Sequence, residues 1–196
     1  MFIETLCIEN RMVKNQTYHR KRMIETLEMH GYSVPEFPDV VAGIPLEFHS
    51  SKIKCTINYD EKINEITYKK YVPRNINSLK IVIADNLDYA FKYSDRKFLE
   101  SHLQYRGECD EILIVQQGCI TDTTYSNVVL EKQGIFYTPD TYLLNGTKRQ
   151  QLISEGVIKE IPISIENIYD FEKIYLTNAM LDIKDNICFS ARNIFL

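Results

Sequence analysis

Residues 118–129 read GCITDTTYSNVV. An apolar run, EILIVQQ (111–117), leads into this stretch, and EKQGIFYTP (131–139) follows like the return arm of a hairpin. Strands usually alternate apolar and polar side chains. This one crowds Thr121, Asp122, Thr123, Thr124, Ser126 and Asn127 into seven positions, with a single carboxylate among hydroxyls. A polar strand or sheet edge with cross-strand threonine pairs is the structural account. The functional account is a carboxylate held to pair with a cationic ring nitrogen.

Working outward, strands are expected at 111–116, 119–125, 127–132 and 135–138, with Gln133-Gly134 as a tight turn. Upstream, SLKIVIAD (78–85) reads as a buried strand. NLDYAFKYSDRKFLESHLQYRG (86–107) passes from loop to helix near Ser94, with Phe98, Leu99 and Leu103 on its apolar face and Gly107 as its stop. FIETLCIE (2–9) predicts a strand that turns at Asn10-Arg11 into a second short strand. NQTYHRKRMIETLEMHGYSVP (15–35) predicts a helix capped by Thr17 and ended by Gly31. SKIKCTINY (51–59) and NEITYKKYV (64–72) alternate and form a hairpin. Downstream, a helix begins just after Gly146, and IYDFEKIYLTNAM contains a late strand. The chain is mixed α+β with two strand-rich parts, divided in the loop near 86–92: residues 1–86 and residues 87–196.

Composition narrows the function. The 196 residues are 44% hydrophobic and 26% charged, as in ordinary globular proteins. A net charge of −4 argues against general nucleic-acid or anionic-membrane binding. No segment approaches the roughly 20 apolar residues of a membrane helix, and the first residues lack a secretory core. The five cysteines are scattered and form no CxxC pair, so no metal site is expected; reduced thiols in a cytoplasmic protein are.

Three further features carry chemistry. Lys92 is flanked by Tyr89, Phe91 and Tyr93, a setting that desolvates an amine and favours its nucleophilic form; a surface lysine lying against aromatics is the plainer account. YHRKRM (18–23) is a basic cluster at a helix start, from which Arg22 is the guanidinium to turn inward onto an oxyanion. LLNGTKR (143–149) enters a helix through a glycine, which suits phosphate on free N–H groups, with Thr147 adding a hydroxyl.

The order of these features resembles the class IV aminotransferases, the fold-type-IV pyridoxal-phosphate enzymes, and within them the 4-amino-4-deoxychorismate lyases. The matching pieces are IETLCIENRMVKNQTYHRKRM, KYSDR, DEILIVQQGCITDTTYSNVV, YTPDTYLLNGTKRQQL and IYLTNAM, spread over nearly the whole chain. The resemblance implies a two-domain, D-amino acid aminotransferase-like α+β fold that is shortened at its N-terminus, with pyridoxal 5'-phosphate as cofactor. It implies that Lys92 is the lysine bonded to the cofactor. Arg22, Gly146, Thr147 and Asn178 would bind its phosphate, Asp122 would pair with its ring nitrogen, and Asn127 would order the loop and ring face. The family's usual residue at 122 is Glu, one methylene longer. The implied substrate is a small amino acid or amino-chorismate, and the implied assembly a homodimer. The implied activity is elimination of pyruvate to give 4-aminobenzoate for folate biosynthesis. A transaminase of branched-chain or D-amino acids and a non-catalytic pyridoxal-phosphate-binding relative are the alternatives. Arg74 and Arg96 are both candidates for the substrate carboxylates.

Overall fold

Strand β1 (Phe2–Glu9) runs at the centre of the first sheet, with Phe2, Glu4, Leu6 and Ile8 buried at alternate positions. Asn10 and Arg11 both have positive φ, so a two-residue turn returns the chain into β2 (Met12–Val13), with Ile8 opposite Val13. Helix α1 spans Gln16–Met29. It ends where Gly31, at φ 69°, lets its own N–H reach Glu28 O and the Tyr32 N–H reach Leu27 O, which satisfies two of the last carbonyls. β3 (Ile53–Tyr59) and β4 (Ile63–Lys70) complete the antiparallel sheet in the order β2-β1-β3-β4. Met23 and Leu27 of α1 join Leu6, Ile8, Ile53, Cys55 and Ile57 in its core.

The computed structural model describes residues 1–48 and 51–196. The chain divides into two units: Met1–Pro73 with Phe91–Asp95, and Arg74–Ala90 with Arg96–Leu196. The division expected at 86/87, with Lys92 in the second part, differs from this. The segment around Lys92 packs in the first unit because it pairs antiparallel with the first residues of β1. The Ile3 N–H donates to Lys92 O at 2.9 Å, Phe2 bridges Tyr93, and the Ser94 N–H donates to Met1 O at 3.2 Å. Phe91 and Tyr93 also pack on Phe2, with ring centroids 6.3 and 5.6 Å away.

The second unit holds two sheets. β5 (Leu79–Ile83) runs parallel to β6 (Glu111–Gln116), and β7 (Cys119–Ile120) and β13 (Ile194–Phe195) flank them in the order β13-β5-β6-β7. The other sheet runs β10-β9-β8-β11-β12, from β8 (Asn127–Lys132), β9 (Ile135–Pro139), β10 (Ile158–Ile161), β11 (Lys173–Thr177) and β12 (Cys188–Ser190). Gln133 and Gly134, both at positive φ, make the expected turn between β8 and β9. Helix α3 (Thr147–Ser154) connects β9 to the parallel strand β10.

Three local expectations are corrected. Thr17 does not cap α1; Asn15, at φ 58°, stands at the N-cap without a side-chain bond, and Thr17 lies inside the helix. The long helix expected after Ser94 is a five-residue α2 (Lys97–Ser101) followed by a 3-10 turn at His102–Arg106. Only Leu99 is buried in it, too little packing to sustain a longer helix. The strand expected over 119–125 stops at Ile120. Beyond it the short polar side chains bond to nearby backbone: Thr123 Oγ1 donates to Ser126 O and accepts from the Ser126 N–H at 3.0 Å. This gives the backbone an alternative to the ladder.

Candidate active site

In the first unit a carboxylate stands where the alternation of β1 calls for an apolar side chain. Glu4 is 0% exposed. An isolated buried charge is prohibitive, so it must be paired. His19 and Arg22, three residues apart on one face of α1, supply the partners. Arg22 Nε donates to Glu4 Oε1 at 2.7 Å and Nη2 to Oε2 at 2.7 Å, a bidentate fork. His19 Nδ1 lies 2.6 Å from Oε2. Burial pushes the Glu4 carboxyl up, but Arg22 and His19 outweigh it and hold it down at about 2. Burial lowers the pKa of His19, against the pull of Glu4; Arg22 and the Lys92 ammonium add to the lowering. Arg22 thus belongs to one hydrogen-bonded cluster with Glu4 and His19, two residues not expected there as functional, and the charge of Lys92 is felt at His19. Glu4 was legible as an acidic residue on the inward face of an apolar strand. The charge of Arg22 is already balanced by Glu4, and the Nη1 side of its guanidinium is the one turned away from that fork.

In the second unit the polar stretch 121–127 is a buried loop built around Asp122. Asp122 Oδ1 accepts from Asn127 Nδ2 at 2.7 Å, while Oδ2 accepts from the N–H groups of Leu143 and Leu144 at 3.1 and 2.9 Å. Burial pushes the Asp122 carboxyl up to about 6; these donors, with the more distant charge of Arg149, offset only part of that. Asn127 Nδ2 also donates to Leu144 O at 2.9 Å. Gly146 makes room for this amide, since a Cβ there would lie 1.9 Å from Asn127 Oδ1. The need for glycine at 146 therefore comes from a neighbouring side chain.

Gly146 is also the N-cap of α3 and offers no side chain to cap the helix's first N–H groups, the arrangement expected for phosphate. Thr147 is buried. Arg149, not singled out from the sequence, ties this loop down: it donates to Pro139 O at 2.9 Å, to Asn145 Oδ1 at 3.2 Å and to Glu160 at 2.6 Å, and its guanidinium lies over the Tyr142 ring. Lys148 pairs with Asp182 at 2.8 Å. Asn178 donates to Ser126 Oγ at 2.9 Å and accepts from the Met180 N–H at 2.8 Å, so its amide is engaged inside the unit. Asp122, Asn127, Gly146, Thr147 and Asn178 are therefore linked through the segments 121–127, 143–149 and 178–182.

Among the described residues no group of three His, Cys, Asp or Glu is arranged to hold a metal ion. No helix among them is long and apolar enough to cross a membrane.

Known proteins are similar to this chain in sequence and fold. A family model described as amino-transferase class IV matches residues 89–184. An uncharacterized protein of Haemophilus influenzae is 37% identical over 180 residues, 90% of this chain and 96% of that protein. The crystal structure of a candidate 4-amino-4-deoxychorismate lyase from Haemophilus somnus is similar at a TM-score of 0.81 and 31% identity, covering 91% of this chain and 95% of that one. A hypothetical aminotransferase from Mycobacterium tuberculosis, in its pyridoxal-phosphate-bound form, shares the fold at a TM-score of 0.73 and 15% identity, over 91% of this chain and 77% of that one.

Proposed function

Because the chain belongs to the class IV aminotransferase family of pyridoxal-phosphate-dependent enzymes, we propose that it is a lyase that splits 4-amino-4-deoxychorismate into pyruvate and 4-aminobenzoate. Its α+β architecture is the one that membership requires. The observation that carries the lyase reading is the likeness, at 31% identity over almost the whole chain, to the candidate lyase of Haemophilus somnus.

The donor sets suit the cofactor. Asp122 already accepts three N–H groups, two of them on Oδ2, which leaves Oδ1 a lone pair for a fourth donor. A carboxyl raised to about 6 by burial gains from a cationic N–H, and a protonated ring nitrogen is one. In the second unit the start of α3 at Gly146 and Thr147 suits a phosphate, and in the first unit the guanidinium of Arg22 is a group of the kind that binds one. Asn127 and Asn178 order the surrounding loops, the latter through Ser126. Lys92 supplies the amine that anchors the cofactor's aldehyde carbon.

When bound, the cofactor supplies an electron sink for a carbanion at the substrate's amine-bearing carbon. The released Lys92 amine takes the proton from that carbon as general base. Asp122 would accept the ring nitrogen's N–H and so favour its protonated form. The bond between the neighbouring ring carbon and the ether oxygen then breaks, the ring becomes aromatic as 4-aminobenzoate, and the leaving enolpyruvate, which keeps that oxygen, takes back the proton held by Lys92 and becomes pyruvate. A homodimer in a reducing cytoplasm completes the proposal; none of its five cysteines is joined to another in a disulfide.

The test is pyruvate release by the loaded protein with and without an added 2-oxo acid. Release that needs no acceptor supports the lyase. Turnover that requires the acceptor assigns a transaminase of branched-chain or D-amino acids instead. A folded protein that forms no borohydride-fixed adduct on Lys92 removes both and leaves a non-catalytic relative.

A further inference from the structure

Two arginines flank the Thr124–Tyr125 turn, and their surroundings differ. Arg74 is half exposed and already partnered. Its Nη1 lies 3.3 Å from Glu111 Oε2, and its guanidinium carbon sits 4.9 Å over the Tyr125 ring. Glu111 is fully buried and also accepts from the Thr124 hydroxyl at 3.0 Å and the Ile112 N–H at 2.9 Å. Arg74 therefore balances a buried carboxylate and braces the turn.

Arg96 is not balanced in this way. Its side chain is 24% exposed, and its Nη2 donates to Thr124 O, a neutral acceptor. Its Nε is buried and has no hydrogen-bond partner. The nearest carboxylate, Glu100 Oε1, lies 3.6 Å from Nε, too far for a hydrogen bond, on a side chain 53% exposed to solvent. A pair of that kind contributes little. With Glu111 and Arg74 cancelling, the turn keeps a guanidinium whose ion pair with Glu100 is long and solvent-exposed, and one of its donors lacks a hydrogen-bond acceptor. Buried donors are rarely left unmade; Arg149 Nε is the other such donor among the described residues, but that guanidinium is held by Pro139, Asn145 and Glu160. Arg96 also follows Lys92 by four residues, which by chain length alone keeps the two α-carbons within about 14 Å.

We propose that Arg96 is the carboxylate anchor of the substrate: its unpartnered Nε beside the Thr124–Tyr125 turn receives a carboxylate oxygen of the ligand. The inference rests on the class IV reading and decides between the two arginines that the sequence left open. It assigns Arg96 to the substrate and not to an anionic oxygen of the cofactor.

The test is calorimetric binding to the loaded protein of two matched pairs: 4-aminobenzoate with 4-aminobenzamide, and pyruvate with pyruvamide. Each pair differs by one carboxylate. In Arg96→Gln, affinity for the carboxylate member of a pair that binds falls roughly tenfold to a hundredfold, as for loss of a charge-assisted hydrogen bond, while its amide changes little. Glu100→Gln leaves both unchanged. Equal losses for acid and amide, no loss, or a matching loss in Glu100→Gln overturn the proposal. So does a fall in pyridoxal phosphate affinity, read from its visible absorbance, with acid–amide discrimination retained. If the wild-type protein binds pyruvate but not 4-aminobenzoate, the lyase reading fails and Arg96 is judged on the pyruvate pair. If it binds neither acid, no carboxylate anchor exists.

Discussion

Replacing Glu4 by glutamine keeps the side chain's size and removes its charge from the centre of the first unit. Arg22 is then left buried without its counterion, and one of the three short bonds must become a contact between donors. Breaking one side of a buried ion pair costs about 3–5 kcal/mol. Proton linkage gives a similar size. Held at about 2 in the folded chain against an ordinary 4.5, the Glu4 carboxyl contributes about 3 kcal/mol to stability. The sign follows from the depressed pKa: the contribution is complete above pH 4.5 and is lost as pH falls towards 2. Urea unfolding of the cofactor-free wild type and Glu4→Gln therefore differs by about 3–5 kcal/mol at pH 7. The gap narrows by about 2 kcal/mol at pH 3, where 1.5 pH units of that linkage have been used. Removing the cofactor keeps ligand binding from masking the difference. A gap under about 1 kcal/mol at pH 7, as for a surface pair, would refute the reasoning, as would a gap of the same size at both pH values.

The other predictions follow from the second unit and from Lys92. Asp122 has the opposite pH sign: burial raises its carboxyl from 3.8 to about 6, so its contribution is greatest below pH 3.8 and is lost as pH rises through 6. The wild-type advantage over Asp122→Asn in the cofactor-free protein should accordingly shrink across that window; growth with pH would contradict it. Gly146→Ala should destabilise by about 1–3 kcal/mol, since its Cβ displaces the Asn127 amide from Asp122. Its φ of −64° suits alanine, so the cost is steric and should largely vanish in an Asn127→Ala background; additive losses in the double variant would show the clash is not the cause. Lys92→Ala should retain the far-ultraviolet circular dichroism of the wild type yet form no borohydride-fixed adduct with pyridoxal phosphate. An adduct mapped to another lysine would remove Lys92 from its assigned role.

Local features were readable wherever the physics is local. The turns at Asn10-Arg11 and Gln133-Gly134, the stop at Gly31 and the helix start at Gly146 depend on backbone geometry within a few residues, and each stands where the sequence put it. The strand expected over 119–125 ends at Ile120 because Thr123 bonds the backbone of Ser126 in place of a ladder partner. The helix after Ser94 is shorter than its apolar residues imply, because only Leu99 among them is buried.

The sequence by itself determined the strands, their turns, the family resemblance and the identity of the residues that carry chemistry, because these rest on periodicity, turn chemistry and motif order. The tertiary structure decided which charges meet. Glu4 finds His19 and Arg22 across 15 and 18 residues of chain, the Lys92 segment joins the first unit by pairing with the start of β1, and Asp122 holds a loop more than 20 residues downstream. No pattern along the chain records these pairings, because a buried charge takes its partner from whatever packing brings within hydrogen-bond reach. The same holds for Arg96: only the packed turn showed which of two arginines was left with a donor to give.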